Sequence, residues 1–161
     1  TSPKVLGSIE YACSVAGAKL IVVLGHTRCG AVTTAVKLAG STQPSAALTG
    51  CQNVEPILLD IQESVDMAAW RMAEKTSDDA QQAYIDEVAR QNVLLMVDRV
   101  ATESPTLAAM VSNQKVAVVG AMYDVATGEV TFFDDVDASR GCINLAEITR
   151  SKLAREAAAT S

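Results

Sequence analysis

The run Leu20-Ile21-Val22-Val23-Leu24 leads straight into Gly25-His26-Thr27-Arg28-Cys29-Gly30 and then into Ala31–Leu38, and this unit constrains the fold more than any other stretch. An unbroken β-branched and aliphatic run bounded by Gly reads as a strand buried on both faces. The segment after it has helical apolar spacing, so the unit is strand, tight turn, helix. The turn carries the chain's single histidine and, three residues on, a cysteine. Imidazole and thiolate are two of the best side-chain ligands for Zn²⁺. A lone His or Cys is more often structural than metal-binding, and free Cys is among the most buried residue types. Position favours a site here, because ligands of open α/β sheets gather at the carboxyl ends of strands.

The remaining elements follow from spacing and punctuation. Gly7–Gly17 reads as a short helix with Ser8 as N-cap, Glu10 in its first turn and Gly17 closing it. Residues 39–50, with Gly40, Pro44 and Gly50, read as a loop. One helix is expected from Asn53 to about Lys75, and a second long one from near Asp78 through Val100, capped by Ser77 or Asp78. Ser104-Pro105 starts a short helix with Pro in its first turn. Val116–Met122 and Val130–Phe133 read as strands joined by the turn Ala126-Thr127-Gly128, and Asn144–Ala159 as an Ala-rich helix. The first two strands are expected to pair in parallel. This order predicts an α/β fold, a mostly parallel β-sheet flanked by helices, in one domain over residues 1–161.

Composition narrows the function classes. Hydrophobic residues make up 49 % of the chain and aromatics only 4 %, which suits helices on a small sheet better than an all-β sandwich. A net charge of −6 without any basic run excludes a nucleic-acid partner and an anionic membrane surface. No apolar stretch is long enough for membrane insertion, and no signal peptide is visible, so a cytoplasmic location is expected. Thr1 is not an initiator methionine, and the expectation is a chain that starts inside a longer polypeptide. Cys13, Cys29, Cys51 and Cys142 are widely spaced and read as reduced thiols rather than a disulfide framework.

Two other strand–turn–helix chemistries fail on residues. Gly25 and Gly30 have the glycine spacing of a P-loop, but Ala31 and Val32 stand where Lys and Ser/Thr are needed for phosphate and Mg²⁺. A cysteine-phosphatase loop requires Arg six residues after its nucleophile, and position 35 is alanine.

The surrounding residues carry a specific resemblance. Gly7-Ser8-Ile9-Glu10-Tyr11-Ala12 and Ile21–Val32 resemble the second half of the zinc site of β-class carbonic anhydrases. Asn92-Val93, Ser104-Pro105 and Gly120–Gly128 resemble the same family in order and approximate spacing. The likeness covers residues 7–133 and leaves 134–161 as a C-terminal extension. It implies His26 and Cys29 as zinc ligands, and Gly30 on the floor of the site with its N–H facing a substrate oxygen. The implied reaction is reversible hydration of CO₂ to bicarbonate, with zinc generating the nucleophile from water near neutral pH. Family members associate through helices and strand edges, so a homodimer is expected.

The family's earlier strand ends in Cys-x-Asp-Ser/Thr-Arg, which supplies a third ligand and an Asp–Arg pair. This sequence has no such motif: Val15, Asn53 and Asn144 stand two residues after Cys13, Cys51 and Cys142. The expected fold therefore lacks the family's first strands, and the zinc site is half a site. Zinc is expected in the intact protein, and weak or absent in a chain limited to these residues, which is expected to be inactive. Three readings stay open: a shortened chain, an upstream segment outside the sequence, and a descendant that has lost catalysis. A different class also stays open, a non-catalytic interaction or regulatory domain fused to an anion transporter.

Arg28 reads as a solvated turn residue ahead of a contact to substrate or partner. Met67, Trp70, Met72 and Tyr84 read as core or oligomer interface. Asp134, Asp135 and Asp137 read as a solvated turn ahead of a weak cation site.

Overall fold

A computed structural model of the chain describes residues 2–133. The expected helix 144–159, Cys142 and the acidic residues Asp134, Asp135 and Asp137 lie outside the described residues.

The chain opens with α1 (Pro3–Ser14), β1 (Leu20–His26) and α2 (Gly30–Leu38). Helix α1 starts earlier than expected. Ser2, not Ser8, caps it by accepting the Val5 N–H at 3.4 Å, and Pro3 takes the first helical position, where its missing N–H costs nothing. Ser8 lies inside the helix and donates to the Lys4 carbonyl at 2.9 Å, and Glu10 is likewise mid-helix. Gly17, at φ +81°, adopts the left-handed conformation just past the helix end.

Residues expected to form a loop contain the short helix α3 (Ser45–Thr49), ended by Gly50 at φ +70°. The expected single helix over 53–75 is two: α4 (Glu55–Gln62) and α5 (Met67–Glu74). Asp66 separates them, because its carboxylate accepts the N–H groups of Ala68 and Ala69 at 2.8 and 3.2 Å and starts a new helix. The long helix α6 (Asp78–Thr102) follows, with Ser77 Oγ accepting the Ala80 N–H at 3.1 Å. Helix α7 (Pro105–Ser112) is capped by Ser104, and β2 (Ala117–Tyr123) and β3 (Val130–Phe132) end the described residues.

The strands form one sheet in the order β1-β2-β3. Ala117 N–H donates to the Lys19 carbonyl at 2.9 Å and Thr27 N–H to Tyr123 at 3.0 Å, so β1 and β2 run parallel. Asp124 N–H to Glu129 O at 2.8 Å and Phe133 N–H to Gly120 O at 3.0 Å make β3 antiparallel to β2, so the sheet is mixed. Gly128 sits in the connecting turn at φ +81°. The expectation that β1 is buried on both faces is corrected. Its residues alternate between exposed and half-buried, because successive side chains point to opposite faces and the face with Leu20, Val22 and Leu24 is exposed among the described residues.

The residues group into two compact units. Among the described residues the first comprises 2–24, Met96–Ala121 and 131–133, and its buried side chains include Cys13, Val97, Val100, Leu107, Val116 and Val118. The second comprises Gly25–Leu95 and Met122–Val130. Its core joins Val32, Ala35 and Val36 of α2 to Leu58 and Ile61 of α4, Trp70 of α5, and Ile85, Val88 and Ala89 of α6. Those positions recur at helical spacing, which puts one apolar stripe of each helix inward. Burying each Val, Leu or Ile there contributes about 1.5–3 kcal/mol before conformational entropy is counted. Trp70 is buried and Met67 half-buried, as expected of core, whereas Met72 is 71 % exposed.

Candidate metal-binding site

The candidate site lies wholly in the second unit, on the turn from β1 into α2. His26 is the last residue of β1, and Cys29 is the N-cap of α2 at φ −68° and ψ 120°. His26 is exposed and Cys29 is a half-buried free thiol.

The His26 ring is oriented by its own neighbour. Nδ1 lies 3.0 Å from the Thr27 carbonyl oxygen. A carbonyl only accepts, so Nδ1 carries a proton, and in the neutral ring Nε2 keeps the lone pair. A metal-binding histidine is held in this way, with one ring N–H donated to a backbone carbonyl and the other nitrogen facing the ion. One imidazole nitrogen and one thiolate form a donor pair suited to Zn²⁺. A catalytic zinc takes three protein ligands, and among the described residues no group of three His, Cys, Asp or Glu side chains is placed to hold an ion. The two residues fit zinc in kind and fall short in number.

Three elements hold the turn. Thr27 donates its N–H to Tyr123 of β2 at 3.0 Å, and its Oγ1 accepts the Val125 N–H at 3.1 Å. Arg28 has the left-handed φ of +55°, uncommon for a residue with a side chain, and donates its N–H to Asp86 Oδ1 of α6 at 2.7 Å. Gln82 Nε2, one helical turn before Asp86, donates to the same oxygen at 3.0 Å. Arg28 is exposed, as expected of a turn residue, and its cation also faces Asp124.

Beyond the turn, Cys29 gives α2 no side-chain cap, and its carbonyl accepts the N–H and the Oγ1–H of Thr33, each at 2.9 Å. The N–H groups of Gly30, Ala31 and Val32 precede the helical hydrogen-bond ladder, so they and the helix dipole favour an anionic group at this end. Gly30 is exposed, and a Cβ placed on it would meet nothing within 4 Å. The side of Gly30 that a Cβ would occupy is therefore open.

Sequence reasoning missed Asp86, Gln82 and Thr27 as parts of this site. The contact between Arg28 and Asp86 spans 58 positions, and nothing local to either residue signals it. Asp124 was findable: Asp-x-x-Thr-Gly is a turn signature in which the Asp side chain accepts following backbone N–H groups.

The profile of the family described as "Carbonic anhydrase" matches residues 1–130, and solved β-carbonic anhydrases share the fold. The chain belongs to the β-class carbonic anhydrase family. A carbonic anhydrase of Pseudomonas aeruginosa is 29 % identical over 143 residues, covering 89 % of this chain and 58 % of its own length. One from Mycolicibacterium smegmatis is 33 % identical over 126 residues, covering 78 % of this chain and 54 % of its own. The Aspergillus fumigatus β-carbonic anhydrase CafA superposes with a TM-score of 0.66 at 18 % identity, over 88 % of this chain and 61 % of that one. The chain thus spans little more than half the length of the curated relatives it matches.

Proposed function

We propose that this chain carries half of the zinc site of an enzyme that reversibly hydrates CO₂ to bicarbonate, with His26 Nε2 and Cys29 Sγ as two of the ligands. The observation that supports it best is the His26 Nδ1 bond to the Thr27 carbonyl, which turns Nε2 into the available ring nitrogen at a strand end, three residues before the Cys29 thiol. Zinc, when bound, acts as a Lewis acid that makes a nucleophile from water near neutral pH. The chain's own part is to present the two donors from a held turn and to offer the Gly30 N–H, at the start of α2, to an oxygen of bicarbonate. The third ligand and the Asp–Arg pair belong to a Cys-x-Asp-Ser/Thr-Arg strand preceding these residues in the intact protein.

The same reading takes the intact protein as a cytoplasmic homodimer. Exposed apolar side chains of the first unit, Val5 and Tyr11 on α1, Val15 at its C-cap, and Leu20, Val22 and Leu24 on β1, support an association surface. Crystal structures of two relatives from Sordaria macrospora are described as tetrameric.

The test is metal content and CO₂ hydration, measured on this chain and on one extended by such a strand. The extended chain binds one zinc and is active, and His26→Ala or Cys29→Ser removes both properties. The short chain binds zinc weakly and shows no activity. Full zinc and high activity in the short chain would overturn the half-site, and an active extended chain indifferent to both substitutions would overturn the ligand assignment.

A further inference from the structure

The two residues between His26 and Cys29 are held by different parts of the second unit. Thr27 is tied to the chain at Tyr123 and Val125, while Arg28 is tied through its backbone N–H to Asp86, 2.7 Å away on α6. Arg28 needs this anchor more than Thr27 does. At φ +55° it occupies a region that side-chain-bearing residues adopt only when the surroundings impose it. Asp86 is well placed to impose it. Its neighbours Ile85, Val88 and Ala89 are buried in the core, so the helix backbone beneath it is fixed. Gln82 Nε2 donates to the same oxygen at 3.0 Å and sets the rotamer of the carboxylate. Charge assistance makes an N–H bond to a carboxylate about twice as strong as a neutral one.

The consequence lies on either side of Arg28. Its φ and ψ set the direction in which the chain leaves Thr27, whose carbonyl orients His26, and enters Cys29, whose conformation starts α2. We propose that Asp86 is a positioning residue: by accepting the Arg28 N–H it locks the turn in the left-handed conformation that presents His26 Nε2 and Cys29 Sγ to one ion. The inference rests on the reading of those two residues as ligands. Asp86 itself does not touch the metal or the substrate.

The test uses this chain and Co²⁺, whose thiolate charge-transfer absorption reports the Cys29–metal bond, together with amide exchange of Arg28 in the metal-free protein. Asp86→Leu removes the acceptor, Asp86→Asn keeps an oxygen acceptor without the charge, and Gln82→Leu removes only the orienting bond. Ser104→Ala, in the other compact unit, controls for lost stability alone. Asp86→Leu is expected to accelerate Arg28 exchange and to weaken Co²⁺ binding about 10- to 100-fold, the size of effect seen when groups that orient a ligand are lost. Asp86→Asn keeps most of both properties, Gln82→Leu gives a smaller loss of both, and Ser104→Ala leaves Co²⁺ affinity unchanged. Unaltered Arg28 protection and Co²⁺ affinity in Asp86→Leu would overturn the proposal, as would an equal loss in Ser104→Ala. A cobalt–thiolate band that survives Cys29→Ser would instead overturn the ligand reading, and Arg28 exchange in Asp86→Leu would then decide by itself whether Asp86 locks the turn.

Discussion

Gly25, the residue before His26, sits so close to Val93 of α6 that a Cβ on it would stand 2.5 Å from Val93 Cγ2, and 2.7 Å from Met122 Sδ. The methionine sulfur can swing aside, because its side chain is unbranched and flexible. Val93 has no such freedom: it is β-branched, helical and buried. The close approach of the strand end to α6 therefore requires glycine. Gly25→Ala is expected to destabilise the protein by about 1–3 kcal/mol through overpacking, read as a lower urea midpoint at unchanged slope. Adding Val93→Ala should make the pair of changes less costly than their sum, and strict additivity would contradict the contact.

Ser104 joins two helices of the first unit. Its buried hydroxyl donates to the Glu10 carboxylate of α1 and accepts the Leu107 N–H at 3.1 Å, capping α7. Ser104→Ala removes the cap and leaves a half-buried carboxylate without its donor. The expected loss is about 2–4 kcal/mol by chemical denaturation. Glu10→Gln keeps an acceptor and should cost clearly less. An equal cost for the two would show that the carboxylate contact, not the cap, dominates.

Asp124 gives the hairpin turn an acid limit. Backbone N–H groups of Thr127 and Ala126 donate to its carboxylate at 3.0 and 2.7 Å and, with the nearby Arg28 cation, hold its carboxyl below the usual aspartate range. Folding thus favours the ionised form. The resulting stability is complete above the unfolded aspartate's pKa and is lost as pH falls through the lower folded value. In an NMR titration the Asp124 side chain should have a midpoint below that of unconstrained aspartates, with the Ala126 and Thr127 amides shifting at the same pH. A midpoint at the ordinary value would refute the turn geometry.

Tyr84 clasps the break between α4 and α5. Its hydroxyl donates to the Asp66 carbonyl at 2.7 Å and accepts the Asp66 N–H at 2.9 Å, while its ring lies 5.8 Å from that of Trp70. Burial pushes the phenol's pKa up, with the Asp66 charge adding to the rise and the Asp66 backbone hydrogen bond opposing it. The fold therefore favours the neutral form, and this contribution is present below the unfolded tyrosine's pKa and lost as pH rises through the folded value. Tyr84→Phe keeps the ring contact and loses the clasp, with an expected cost of about 1 kcal/mol and faster amide exchange at Trp70, the first α5 residue bonded to the Asp66 carbonyl. Unchanged exchange there would mean that the Asp66 cap holds α5 without help.

Much of this architecture was legible because its causes are local. Ser104-Pro105 announces α7, Gly128 announces the hairpin turn, and the apolar run before His26 announces β1. Two errors share one origin. The apolar spacing Ile61, Val65, Ala68 runs smoothly through the α4/α5 break and masks the local Asp66 cap, while the second hold on Asp66 comes from Tyr84, 18 positions away. Likewise Leu20–Leu24 is apolar throughout, which suggests burial on both faces. The exposure of alternate residues depends on what packs over each face of the sheet, and no strand carries that information within itself.

The sequence by itself determined the chemistry: an imidazole and a thiol three residues apart at a strand end, in a chain that matches carbonic anhydrases, with no motif for a third ligand in view. The tertiary structure decided the posture of that chemistry. It puts Arg28 in the left-handed region, hangs its N–H on Asp86, ties Thr27 to Tyr123 and Val125, and brings α6 against Gly25. Residue type is a local property, but holding a strained turn takes partners delivered by the fold from 58 to 98 positions away, and only packing of the core brings them there.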